Sequence, residues 1–160
     1  MKVNVILPGR IRPRALEVSE KIYIDRLKKE NIHINIYRPN KYHSKITSRN
    51  IIKNDSLLLQ QFKKDDYVVI CDEKGVQVKT NDVTNLLKLA RSNSDKLYNH
   101  RRLIFSIGDS YGFSDEILNR ADEIWSLSGL VMAGGIARLV LLEALYRGVK
   151  ILEGHPYHNE

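Results

Sequence analysis

Short apolar runs alternate with helix-length stretches along the whole chain. "VNVIL", residues 3–7, predicts a strand that Pro8 and Gly9 stop. "RALEVSEKIYIDRLKKE" brings Leu16, Tyr23 and Leu27 round at helical spacing, with Val18 and Ile22 beside them. Ile32, Ile34 and Ile36 alternate, which predicts a second strand ending by Pro39. "SRNIIKNDSLLLQQF" reads as a helix despite Asn54 and Asp55, both weak helix formers. "YVVIC" lacks polar alternation, as expected of a strand covered on both faces. "NDVTNLLKLARS" predicts a helix with Thr80 or Asn81 as its N-cap. "LIFSI" is a fourth strand, and Ser114 is expected to cap "DEILNRA", whose acidic first turn suits the helix dipole. "EIWSLS" is a fifth strand. "IARLVLLEALYR" is a last helix, with Gly148 expected as its C-cap. Five strand–helix pairs in succession argue for an α/β fold with a mostly parallel sheet and helices on both faces. The chain has 160 residues, which suits one domain, and no repeat or linker divides it. Residues 40–53 are its most polar stretch and read as a loop leading into a helix.

Ligands of open α/β sheets bind beyond the carboxyl ends of the strands. Three of those ends carry unusual residues: "CDEKG" from Cys71, "GDSYG" from Gly108 and "SGLVMAGG" from Ser128. Glycine lets the backbone approach a ligand closely. Neither glycine-bearing loop is a P-loop or a dinucleotide fingerprint. Together, at what reads as adjacent strand ends, they point to a small-molecule pocket. "GLVMA" is unusually apolar for a loop and is expected to be buried, against a pocket or a subunit contact. Asp72 and Glu73 could form a carboxylate pair for acid/base work, but capping a turn at Gly75 is the simpler reading.

Composition adds a partner class. Lys+Arg number 26 against 19 Asp+Glu, a net charge of +7. Such a surplus favours a polyanionic partner, although a basic surface alone explains it equally. Arg10, Arg12 and Arg14 cluster after the first strand, and Lys45 and Arg49 lie in the polar stretch, with Tyr37, Tyr42 and His43 interleaved. No apolar run approaches the roughly 20 residues of a membrane span, so no membrane partner is expected. The opening residues read as a strand and not as a signal peptide. Cys71 is the only cysteine, which excludes an intramolecular disulfide and suits a reducing compartment.

The chain closes on "GHPYHNE", two histidines and a tyrosine where most domains fray. With "IGDSYGFSDEILNRADEIWSLS" and "RLVLLEALYRG", this ending resembles the ribosomal large-subunit methyltransferase H family, small SPOUT enzymes that methylate N3 of a pseudouridine in large-subunit ribosomal RNA. The match is strongest from residue 72 onward. The resemblance implies an α/β knot: a mostly parallel sheet of five or six strands and a C-terminal trefoil knot, an exception to the rule that chains are unknotted. It also implies a homodimer that binds S-adenosylmethionine and acts on ribosomal RNA or an assembled ribosome, in the cytoplasm or, after removal of a presequence, in an organelle. By position the cofactor contacts fall on Cys71, Gly108, Leu127, Ser128, Gly129, Leu130, Val131 and Met132, mostly through backbone. The tail is expected to fold back through a loop and close that pocket, with Tyr157 and His158 facing the target base. His158 would accept or orient the imide proton, Tyr157 would hold the base, and Arg147 would assist. Arg138 on the last helix is a candidate for a phosphate, joining Arg10, Arg12, Arg14, Lys45 and Arg49 as RNA contacts. Glu143 is expected only to pair with Arg147.

The chain departs from the family pattern twice. Asp109 stands where a second glycine usually follows Gly108, and Ala133-Gly134 replaces a proline and a histidine before the last helix. These departures define the alternative: a catalytically impaired RNA- or ribosome-binding protein on the same fold. A metal site on His155 and His158 and a flavodoxin-like nucleotide binder are the other readings weighed, and no metal is expected.

Overall fold

The computed structural model describes residues 1–9, 11, 13–38, 48–92, 95–108 and 112–157, giving only the backbone of 48–52. Five strands, β1 (Lys2–Pro8), β2 (Ile32–Tyr37), β3 (Asp66–Gln77), β4 (Arg102–Ile107) and β5 (Glu123–Ser126), form one sheet in the order β2-β1-β4-β3-β5. Every pairing is parallel. Helices α1 (Arg14–Lys29), α2 (Ser48–Leu59), α3 (Thr80–Ser92), α4 (Asp115–Arg120) and α5 (Gly134–Leu152) alternate with the strands, as the periodicity predicts.

Two cores follow from the period-2 alternation of side chains along each strand. Val5, Leu7, Val69, Cys71, Phe105 and Ile107 face α1, α3 and α5, joining Leu27, Leu87, Leu141 and Leu145. Ile6, Val68, Ile70 and Ile104 face the other way, against Leu58 of α2 and Ile117 of α4. Both faces of β1, β4 and residues 66–71 of β3 are therefore dry, which is why "YVVIC" carries no polar alternation.

Several local expectations are corrected by tertiary partners. Gly148 does not end α5: the helix runs on to Leu152, and Gly154, at φ +65°, makes the stop. Gly148 is instead the point where α5 meets α3, since a Cβ there would stand 2.9 Å from Leu87 Cδ1. Ser114 occupies the N-cap of α4, but its hydroxyl makes no capping bond; its N–H donates to Asp55 Oδ2 of α2 at 2.6 Å. Asn54 and Asp55, poor helix formers by propensity, are buried. Helix α3 is capped neither by Thr80 nor by Asn81. Asp82 reaches back to the N–H of Lys79 at 2.7 Å, the reciprocal half of a capping box.

The carboxyl ends of β4, β3 and β5 lie side by side. The loops after β4 and β5 are thus not neighbours, as the sequence reading had them; they face each other across the end of β3. β3 is also irregular there. Cys71 and Val76 both pair with Trp125, so residues 72–75 bulge out of the ladder. Lys74 N donates to Asp72 Oδ1 at 2.9 Å, which makes Asp72 the cap of that turn.

Candidate active site

Those three strand ends enclose a cleft of about 390 Å³. Its walls are Cys71 to Lys74 from β3, Ile107 of β4 and Gly108 just after it, Gly112, Phe113 and Leu118 beside and on α4, and the chain from Ser126 into α5. Seven of the eight residues expected to touch a cofactor line it: Cys71, Gly108, Leu127, Ser128, Leu130, Val131 and Met132. Gly129 stands apart, turned toward Gln77. The size lies within the range of small-molecule sites, about 300–1,000 Å³.

Local chemistry shapes each wall. Gly108 is tight: a Cβ there would meet the Phe113 ring at 3.0 Å. Phe113 was not singled out by the sequence reading, although an aromatic residue directly after Gly112 in a glycine-bearing loop was the available signal. Two serines set the β5 loop. Ser126 Oγ donates to Ser128 O at 2.9 Å, and Ser128 Oγ accepts from Leu130 N at 2.9 Å. Leu130 and Val131 line the cleft on one side, yet they are 78% and 88% exposed. The "GLVMA" loop is therefore an uncovered lip, not the buried segment its apolarity suggests.

Cys71 forms part of the wall as a neutral thiol. Burial, reinforced by the charge of Asp72, pushes its pKa up to about 12. The thiolate is the reactive form, so native protein at pH 8 should resist iodoacetamide while denatured protein is alkylated at once, as intact-mass analysis would register. Rapid native labelling would contradict the burial.

The residues expected to contact RNA separate. Arg138 is buried, with 4% exposure. Its Nε donates to Glu20 Oε1 at 2.8 Å, and its Nη1 donates to the carbonyls of Pro8 at 2.6 Å and Gly9 at 3.1 Å. That guanidinium ties α5 to α1 and to the end of β1; it does not face solvent phosphate. Arg14 is exposed at the start of α1. Arg49 lies in α2, of whose side chain nothing is described, and Arg10, Arg12 and Lys45 fall outside the described residues.

The tail is placed differently from expectation. Arg147 Nε and Nη2 donate to Glu143 Oε1 at 3.0 and 2.6 Å, the anticipated i,i+4 pair. Tyr157 OH donates to the same oxygen at 3.2 Å, and its ring packs edge-on against Tyr146 with centroids 4.9 Å apart. Burial and its bond with Tyr23 raise the Tyr157 pKa. Gly134 and Ala137 are the α5 residues in the cleft wall. Glu143 lies nine residues beyond Gly134, roughly half a turn round the helix and about 13 Å along it. Glu143, and Tyr157 bonded to it, therefore sit away from the cleft side of α5 in their own chain. His158 and Asp109 fall outside the described residues. His155 Nδ1 accepts from Tyr157 N at 3.1 Å, and among the described residues no group of three potential metal ligands occurs.

Comparison with known proteins bears on the whole chain. Residues 1–158 match the family described as "Predicted SPOUT methyltransferase". Over 161 residues, the full length of both chains, the sequence is 31% identical to a ribosomal RNA large subunit methyltransferase H of Methylobacillus flagellatus. It is 33% identical over 162 residues, 99% of each chain, to the protein of that name from Christiangramia forsetii. A third, from Gloeobacter violaceus, is 29% identical over 161 residues, again 99% of each.

Proposed function

This chain belongs to the SPOUT methyltransferase family, and on that premise we propose that it methylates N3 of a pseudouridine in large-subunit ribosomal RNA, using S-adenosylmethionine. The observation that carries the reading is full-length similarity to ribosomal RNA methyltransferases combined with a cleft that gathers seven of eight expected cofactor contacts.

The cleft suits the methyl donor. Ile107, Leu118, Met132 and Ala137 give it an apolar wall for an adenine ring, and the neutral Cys71 thiol adds no charge. Asp72 and Glu73 stand at its β3 side, where a carboxylate favours a cation. The α5 N-terminus, opened by Gly134 and Gly135 without a side-chain cap, leaves backbone N–H groups free for an anionic end. S-adenosylmethionine, when bound, supplies an electrophilic methyl group. The protein's task is then to strip the imide proton from N3 and hold the base in line. His158 is the candidate acceptor, because an imidazole titrates near neutrality. Tyr157 is the candidate holder, by its ring or its hydroxyl.

Because Tyr157 docks on the far side of α5, it is badly placed for its own cleft, which supports a homodimer in which each tail serves the partner's cleft. Exposed apolar residues on both helices favour such pairing: Ile136, on the stripe of α5 that carries Glu143, and Val18 and Ile22 on α1, which packs against α5. A C-terminal trefoil knot, a ribosomal substrate and a cytoplasmic setting complete the reading; no described helix is long and apolar enough to cross a membrane. Arg14, with Arg10, Arg12, Lys45 and Arg49, supplies candidate phosphate contacts. A non-catalytic ribosome binder is not favoured, since the named relatives are methyltransferases across their full length.

The test is transfer of labelled methyl from S-adenosylmethionine to ribosomes that lack the modification. Wild-type protein should label large-subunit RNA at one nucleotide, and His158→Ala should lower kcat by about a hundredfold with cofactor affinity retained. No label in the RNA would remove the proposal.

A further inference from the structure

The C-terminal tail is fastened more firmly than a fraying end requires. Along a continued helix, Tyr157 would stand about 21 Å beyond Glu143. Instead the chain reverses. Gly154 turns it at φ +65°, His155 N donates to Lys150 O at 3.0 Å, and Tyr157 returns to bond Glu143. Three kinds of contact meet there. The carboxylate takes the hydroxyl, Tyr146 takes the ring edge, and the Arg147 guanidinium lies 5.1 Å from the ring centroid. Tyr146 is held in turn by Tyr23 of α1, centroids 6.3 Å apart, and Arg26 lies against both rings. A half-exposed Glu–Arg pair on a helix does little for stability by itself. What distinguishes Glu143 is that one oxygen serves both Arg147 and the tail.

We propose that Glu143, backed by Tyr146 and Tyr23, is a positioning residue that holds Tyr157 on the α1/α5 face and so sets where the tail presents itself to the substrate base. The proposal rests on the methyltransferase reading above. Glu143 does not touch the reacting atoms; it acts through Tyr157. Its carboxylate also keeps Arg147 beside the ring, so that the ring is held by a cation over its face and a second aromatic edge-on.

Three readouts on the full-length protein test this: carboxypeptidase trimming of the native tail, kcat and KM for ribosome methylation, and the Kd for S-adenosylmethionine. Glu143→Ala should speed trimming and lower kcat, each by about tenfold, with the cofactor Kd within about twofold. Glu143→Gln, whose amide oxygen still accepts from the tyrosine hydroxyl, should recover most of both. Tyr157→Phe should speed trimming no further in the Glu143→Ala background, because the two residues form one interaction. Unchanged trimming and kcat in Glu143→Ala would overturn the proposal. So would cofactor affinity falling in step with kcat, or strictly additive effects of the two substitutions on trimming. A wild-type protein that transfers no methyl defeats the methyltransferase reading and with it the positioning role, while faster trimming of Glu143→Ala would still report that the cradle holds the tail.

Discussion

Arg138→Ala should destabilise the protein by about 3–5 kcal/mol, the cost of stranding a buried charge. Glu20 and Arg138 are each 4% exposed. Removing the guanidinium leaves the Glu20 carboxylate inside the α1–α5 contact without its cation. It also leaves the Pro8 and Gly9 carbonyls without the donors that now reach them at 2.6 and 3.1 Å. Glu20→Gln should cost less, since a neutral amide still accepts from Nε, although it strands the arginine's charge in turn. The combined change Glu20→Leu with Arg138→Met should recover much of the loss, because an apolar pair of similar volume needs no compensation for desolvation. Urea unfolding of the four proteins measures this directly. A phosphate ligand on a helix surface predicts the reverse pattern, with stability intact and RNA affinity reduced. An Arg138→Ala protein within about 1 kcal/mol of wild type would refute the buried role.

The same arginine shows where a sequence stops being informative. The periodicity of residues 134–147 marks a helix, and the strand runs mark both faces of the sheet, because burial writes itself into spacing. Strand order does not. Nothing in "YVVIC" or "LIFSI" says that β3 lies between β4 and β5, so the loops that form the cleft were legible while their arrangement was not. Caps depend on remote partners in the same way. Ser114 stands at the N-cap of α4 without a capping bond from its hydroxyl, and its own N–H is taken by Asp55, 59 residues earlier in the chain. Gly148 looks like a stop because glycine usually is one, whereas here it permits α5 to approach Leu87. Candidate cofactor residues were found by matching positions to a known family pattern, and that pattern carries no information on which side of α5 the tail returns. The side is set by Gly154 and by the aromatic contact of Tyr157 with Tyr146.

Gly75→Ala should be the most damaging single methyl group added beside the cleft. A Cβ at Gly75 would lie 2.6 Å from both the carbonyl carbon and oxygen of Ile124 and 2.7 Å from the carbonyl carbon of Trp125. Those atoms are β5 backbone, so no rotamer change relieves the clash; β3 and β5 must separate. The strands pair at Cys71–Trp125 and again at Val76–Trp125, immediately either side of the bulge that Gly75 closes. Opening this junction moves Asp72 to Lys74, which form one wall of the cleft, and the β5 end that leads into Leu127 and Ser128. Overpacking of this kind costs about 1–3 kcal/mol, and a domain of this size loses roughly 2–4 °C in Tm per kcal/mol. Binding of S-adenosylmethionine should weaken by more than the melting loss alone explains, since the distortion falls on the wall itself. Gly154→Ala is the matched control. It adds the same methyl group at φ +65° with nothing within 4 Å of the new atom, so it carries only a conformational cost of about 1–2 kcal/mol and should leave cofactor affinity unchanged. Calorimetric titration and thermal melts of both variants separate exclusion by a neighbouring backbone from strain in a turn. A Gly75→Ala protein that melts and binds like wild type would mean that β5 does not lie against β3 as described.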